Sequence, residues 1–161
     1  MLPEYEKYVQ RAKTDRKPLK KLANRLKRLP VRKLDEQVHQ MHHTVFEEID
    51  CLKCANCCST TSPIIRDVDV NRMASFLRIK ATDLIAQHMY LDEDGDYVFN
   101  GAPCPFLGSD NYCSIYEARP KACREYPHTD RKQFQQILDL SLKNTRICPA
   151  VARIFELLKA I

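Results

Sequence analysis

The stretch CLKCANCCST, residues 51–60, places Cys51, Cys54, Cys57 and Cys58 within eight consecutive positions. It holds half of the chain's eight cysteines; the others, Cys104, Cys113, Cys123 and Cys148, lie far downstream. A C-x2-C step lets two thiolates converge on one ion across a tight turn, the half-site common to zinc ribbons and iron–sulfur clusters. Two such steps overlap here, Cys51 to Cys54 and Cys54 to Cys57, as in the C-x2-C-x2-C start of a bacterial ferredoxin run. In that run a cysteine followed by proline completes a cluster elsewhere, and Cys104-Pro105 and Cys148-Pro149 both suit that role. A 4Fe-4S cluster is therefore chemically reasonable. Zinc is equally so, because structural Zn²⁺ takes four thiolates and eight cysteines suffice for two such sites. Copper(I) also accepts thiolates, but nothing in the pattern favours it. All eight cysteines are candidate ligands. Neighbouring side chains diverge, so Cys57 and Cys58 suit two centres, or one centre and the core; Cys58 is the better candidate for a merely packed thiol.

Working outward, 161 residues make room for one ordinary domain, or one domain with a helical appendage. Such a chain buries a core without needing disulfides. There is no run of roughly 18 apolar residues, and the opening MLPEYEKYVQ lacks a signal-like apolar stretch. The expected location is the cytoplasm, where thiols stay reduced and clustered cysteines read as metal ligands.

The net charge of +5 is unevenly spread. Between Arg11 and Lys33 stand eleven Lys or Arg residues and one acid, Asp15, whereas from residue 51 onward fourteen basic residues face thirteen acidic ones. The expected organisation is a basic amphipathic helical leader, residues 1–50, followed by a cysteine-cluster metal-binding domain, residues 51–161. Leu19, Leu22, Leu26 and Leu29 form one helical stripe, with Pro18 in its first turn and Pro30 closing it. Val31, Leu34, Val38, Met41, Val45 and Ile49 form another, which predicts a helix over residues 31–48. The cysteine stretch after Asp50 reads as a loop, with Asn56 as its left-handed residue.

Beyond Pro63, a helix capped by Asp67 or Asp69 and a second capped by Thr82 are expected. A turn at Asp94-Gly95 and another at SDNY, residues 109–112, suggest a small hairpin. Short helices follow near residues 117–124, 131–143 and 149–160. With only three glycines the fold should be mostly α with a small β-hairpin, the cysteine module held together by metal.

CLKCANCC, then CPFL at residues 104–107, then CSIYEARPKACREYP at residues 113–127, together resemble the YkgJ-like C-x2-C-x2-C-C family, described as a zinc- or iron-chelating domain. The resemblance spans roughly residues 51–150 and implies metal chelation by the cysteines without a settled reaction. A similar cluster in flagellin lysine N-methylases raises methyl transfer, or another metal-dependent redox activity, as an alternative. Ala55 stands where the family often has glycine.

Among neighbours of the cysteines, Arg119 and Arg124 can offset thiolate charge or pair with Glu117 or Glu125. Tyr116 and Tyr126 read as core aromatics, and Phe106 and Leu107 as a cover over the metal. His39 and His43 are spaced i, i+4 on the second helix, a spacing that can bind one ion, but no H-E-x-x-H motif accompanies them and solvated rings are expected. His42 reads as a boundary residue; His128 is the first choice for any nitrogen ligand. The basic leader suits a solvated helical face or an acidic partner, RNA or protein; no aromatic interleaves its charges to stack on bases. No glycine-rich nucleotide loop supports an enzyme.

Overall fold

The computed structural model describes residues 1–161. The chain is 61% helical, with one small antiparallel hairpin. In order the elements are α1 (Pro3–Thr14), α2 (Arg16–Leu26), α3 (Val31–Glu48), α4 (Cys51–Cys54), α5 (Asn56–Thr60), α6 (Asp67–Leu77) and α7 (Ala81–His88). There follow β1 (Met89–Leu91), β2 (Tyr97–Phe99), a 3-10 turn at Tyr116–Ala118, α8 (Lys121–Glu125), a 3-10 turn at Phe134–Ile137, α9 (Leu138–Asn144) and α10 (Pro149–Leu158). They sort into two compact units, residues 1–54 with 127–161, and residues 55–126.

The first unit is a helical bundle around α10. That helix buries Ala150, Val151, Ala152, Ile154, Phe155 and Leu158, so it is apolar nearly all round and belongs at a centre rather than a surface. Both α1 and α3 pack on it. Of the leucine stripe, Leu19, Leu22 and Leu26 are buried, but α2 ends at Leu26 and leaves Leu29 half-buried in the turn before Pro30. Gln135 supplies donors to the carbonyls of Lys27 (2.8 Å) and Leu29 (2.9 Å) left open by that early end. The helix over residues 31–48 is found as expected. α1 goes beyond the sequence reading; Pro3 at its start, Glu4 and Glu6 in its first turn and Arg11 and Lys13 in its last agree with the helix dipole.

The cysteine stretch is not a loop. Asp50 accepts the N–H of Leu52 at 2.9 Å and so caps α4, while Ser59 and Thr60 donate their hydroxyls to the carbonyls of Ala55 and Asn56, four residues back. Polar side chains that compete with helix elsewhere are satisfied inside it here. The left-handed residue is Ala55 (φ 48°, ψ 12°) and not Asn56, because Asn56 already belongs to α5.

In the second unit, Ile65, Val70, Met73, Ala74, Leu84, Met89, Phe99, Phe106, Ile115 and Ala118 form the core, with Cys104 and Cys113 packed against it. The hairpin pairs Met89 with Phe99 and Leu91 with Tyr97, and Ile65 adds a bridge to Tyr97. Neither expected N-cap is found. α7 starts after Lys80 without a side-chain cap, and Asp69 sits inside the first turn of α6, reaching back to the N–H of Arg66 at 3.2 Å. The carboxylate of Asp69, 1% exposed, also accepts from the guanidinium of Arg72 and from the N–H of Lys121 at 3.0 Å. Arg72 in turn donates to the carbonyls of Ala118 and Arg119. One buried ion pair thus fixes the segment that carries Cys123.

Burial pushes the Asp69 carboxyl up, but hydrogen bonds from Arg72, Lys121 and Arg66 outweigh it and hold the group below its ordinary value. Asp69→Ala should destabilise residues 55–126 by about 3 kcal/mol, since it strands Arg72. Native-state hydrogen exchange at the amides of residues 66–70 and 121–125 reads the loss. In the parent protein the contribution is present above the unfolded carboxyl value of about 3.9 and disappears as pH falls through the depressed folded value. Unchanged protection in the variant would refute the anchoring role.

Candidate metal centre

Backbone hydrogen bonds bring distant cysteines of the second unit together. The carbonyl of Cys58, on α5, accepts the N–H of Cys104 at 2.7 Å. Leu107 donates to the carbonyl of Cys104 at 3.1 Å and forms a β-bridge with Cys113, so the two flank one tight ribbon. The ribbon closes at residues 108–112, where Gly108 donates to the carbonyl of Tyr112 at 2.8 Å. A Cβ at Gly108 would meet Asp110 Oδ1 at 2.6 Å, so a larger residue there has to displace the carboxylate that accepts the N–H of Tyr112. Cys123 lies on α8, whose first N–H is the one held by Asp69.

The thiols respond to one another. Burial pushes Cys123 up to about 12, reinforced by the charges of Cys58, Cys104 and Cys113. Burial likewise takes Cys104 to about 11, with Cys58 and Cys113 adding to it against the N–H groups of Phe106 and Leu107. Cys113 is also raised, by burial first and by Cys58. Cys58 goes the other way, down to about 7. A hydrogen bond from Cys57 is the main cause, opposed by burial and helped by its own backbone N–H and by Arg119. The sequence marks Cys58 as the candidate packed thiol; the structure places it within electrostatic reach of Cys104, Cys113 and Cys123.

Arg119 is the cation of this group. Its guanidinium lies over the ring of Tyr116, 3.6 Å from the centroid, and it favours the thiolates of Cys58, Cys113 and Cys123. Its Nε is buried with no hydrogen-bond partner, a donor suited to a metal-bound sulfur. Tyr116, expected in the core, is instead the half-exposed platform for this cation. The ion pair on α8 joins Lys121 to Glu125 and leaves both arginines out. Phe106 is buried in the apolar core beside Phe99 and His88.

A second group belongs to the first unit. Cys51 and Cys54 stand one helical turn apart on α4, the first exposed and the second buried, and Cys148 is the N-cap of α10. Burial pushes Cys148 up to about 12, and Cys51 and Cys54 add to it; the N–H groups of Val151 and Ala150 pull the other way. A thiolate there would sit at a helix N-terminus. His128 occupies a left-handed position, φ 62°.

The donor set therefore fits a thiophilic cation: two groups of thiols, one with an unpartnered guanidinium N–H beside it. A family model, CxxCxxCC, described as "Putative zinc- or iron-chelating domain", matches residues 50–147. No curated protein and no solved structure matches the chain.

Removing the Arg119 charge in Arg119→Ala should raise the Cys58 thiol only slightly, since the Cys57 hydrogen bond remains, and should weaken metal binding by about 10- to 100-fold. Arg119→Lys should keep most of the charge effect while losing the flat stack on Tyr116. Thiolate absorbance against pH in the metal-free protein, with competition by a coloured chelator, measures both. Equal affinity in all three proteins would refute the assignment.

Proposed function

The chain belongs to the CxxCxxCC family of zinc- or iron-chelating domains, and from that premise we propose that Cys58, Cys104, Cys113 and Cys123 hold one metal centre as a closed set of four thiolates. The backbone bond that ties Cys104 to Cys58 and the bridge that joins Cys113 to Leu107, with the charge of Cys58 acting on Cys104, Cys113 and Cys123, are what support the reading. A closed thiolate shell is structural, because it leaves no position for a substrate. The centre would supply the second unit with folding free energy that its short helices and three-residue strands do not. Cys51, Cys54 and Cys148 form a separate thiolate group at which a second ion, or an iron–sulfur cluster, would be held.

A further observation favours an acidic partner for the basic leader. Lys13, Arg16, Lys143 and Arg146, with Ile147, line an open cleft of about 470 Å³. No aromatic side chain lines it, so it suits phosphate or carboxylate groups rather than stacked bases.

Anaerobic purification followed by a visible spectrum and elemental analysis decides the metal. Brown protein with iron and sulfide indicates a cluster; colourless protein with one or two zinc ions indicates thiolate sites. Serine at Cys58, Cys104, Cys113 or Cys123 should each remove the same equivalent, and serine at Cys148 should leave that equivalent in place. With three of the four thiols protonated at neutral pH, uptake of zinc should release about three to four protons per centre, so affinity should rise with pH. Metal-free protein that keeps its circular dichroism and cooperative melting would sink the structural role.

Heparin and RNA retention should fall steeply with salt, with a log–log slope of roughly −3 for four single-strand contacts. The pair Lys13→Glu and Arg146→Glu should abolish retention. Binding that ignores both salt and these substitutions would refute the cleft as the acidic partner's site.

A further inference from the structure

On α3, away from the cysteines in sequence, His39 and His43 turn their Nε2 atoms to face one another at 3.0 Å. Asp130, from the chain after Pro127, holds the other nitrogen of His39, Nδ1, at 2.7 Å. One ligand atom from each of the three residues lies within 4.8 Å of the others. We propose that this is a separate binding site for a divalent first-row transition ion that prefers nitrogen and oxygen, with His39 and His43 as ligands and Asp130 as the positioning group.

The hydrogen-bond chemistry leads there directly. A carboxylate only accepts, so Asp130 takes the Nδ1 proton of His39 and leaves a lone pair on that ring's Nε2. The lone pair is aimed at Nε2 of His43, whose proton fills the space between the rings. A metal ion takes the place of that proton. Two nitrogens bound tetrahedrally at about 2.0–2.1 Å stand about 3.3 Å apart, so the rings need to open by only a few tenths of an ångström. A carboxylate on the far nitrogen is the usual partner of a metal-bound imidazole; it fixes the tautomer and raises the ring's basicity.

The segment bearing Asp130 is itself tied down along the same helix. Asp35, one turn before His39, accepts the N–H groups of Gln133 (2.7 Å) and Phe134 (2.9 Å). The ring of His42 meets Thr129, which is 1% exposed, through Nδ1 at 2.8 Å and packs on Phe46. The Nδ1 of His42 is thereby committed to Thr129, and the converging ligand atoms are those of His39, His43 and Asp130. The side chains of His39 and Asp130 are 55% and 52% exposed, which leaves the remaining coordination positions to water or to oxygens of a small molecule. Two imidazole nitrogens with no thiol discriminate against the soft ions that cysteines select.

The test uses the full chain with its thiolate sites filled with zinc, titrated with Ni²⁺ and followed by calorimetry and by the NMR signals of the imidazole rings. One Ni²⁺ per chain beyond the zinc should bind, broadening the signals of His39, His43 and the neighbouring His42 but not those of His88 and His128. His39→Ala with His43→Ala should lose that equivalent and keep the zinc. Asp130→Asn should weaken it by roughly 10- to 100-fold. The proposal is overturned if no extra equivalent binds, if the double variant retains it, or if the perturbed rings are His88 or His128 instead. Unchanged affinity in Asp130→Asn would overturn the positioning role. Both substituted histidines lie on the exposed face of α3, so an unchanged circular dichroism spectrum separates lost binding from lost folding.

Discussion

The constraint behind the second unit is that buried sulfurs cannot all ionise beside one another. Cys104, Cys113 and Cys123 are raised by burial and by neighbouring thiolate charge, so the metal-free group stays largely protonated. A divalent or cluster cation reverses the sign of the problem. Negative charges that repel one another through a poorly solvated medium then converge on a common positive one. The arrangement is held by backbone rather than by sulfur: the link from Cys104 to the carbonyl of Cys58 and the Leu107–Cys113 bridge use no thiol at all. These backbone bonds bring the cysteine-bearing segments near one another; convergence of the sulfurs themselves would come with the metal, whose binding would then be folding free energy.

Asp69 extends the same logic. A carboxylate almost without exposure is tolerated because it has three donors, and those donors come from two separate segments. Arg72 closes the circuit by donating to the carbonyls of Ala118 and Arg119. The residues from Ala118 to Lys121 are thereby held by both partners of one ion pair, with Arg119 inside the held stretch and Cys123 two residues beyond it. What reads as a helix-capping role for an acid thus turns into placement of the cation and of the segment that carries one sulfur.

Much of the architecture follows from periodicity. The α3 stripe and the near-absence of glycine lead to a mostly helical chain, and Asp94-Gly95 marks the hairpin, because these are local signals. What escaped is non-local. Ser59 and Thr60 argue against a helix until their hydroxyls are seen donating four residues back. Asp69 looks like an N-cap, because its partners Arg72 and Lys121 are not visible as partners in a linear chain. His39 and His43 were legible as a pair, but Asp130 stands some ninety residues downstream, and no spacing rule joins it to them. The cysteines were legible as candidate ligands from their count and context alone; their grouping was not.

That grouping turns on one backbone angle. In an unbroken ferredoxin-like run, Cys51, Cys54 and Cys57 would serve together. Here α4 ends at Cys54, Ala55 adopts the left-handed conformation, and α5 begins at Asn56. An L-residue with a Cβ holds that conformation at a cost of roughly 1–2 kcal/mol, so the surroundings must enforce it. The effect is to redirect the chain between the second and third cysteines. On one side Cys51 and Cys54 act electrostatically on Cys148; on the other Cys58 acts on Cys104, Cys113 and Cys123. The adjacent Cys57 donates to Cys58 and so makes it the most readily ionised thiol of its group. A doubled cysteine two residues after a left-handed position therefore has a chemical consequence: one sulfur lowers the proton affinity of the other, and Cys58 is the thiol of its group that ionises nearest neutral pH.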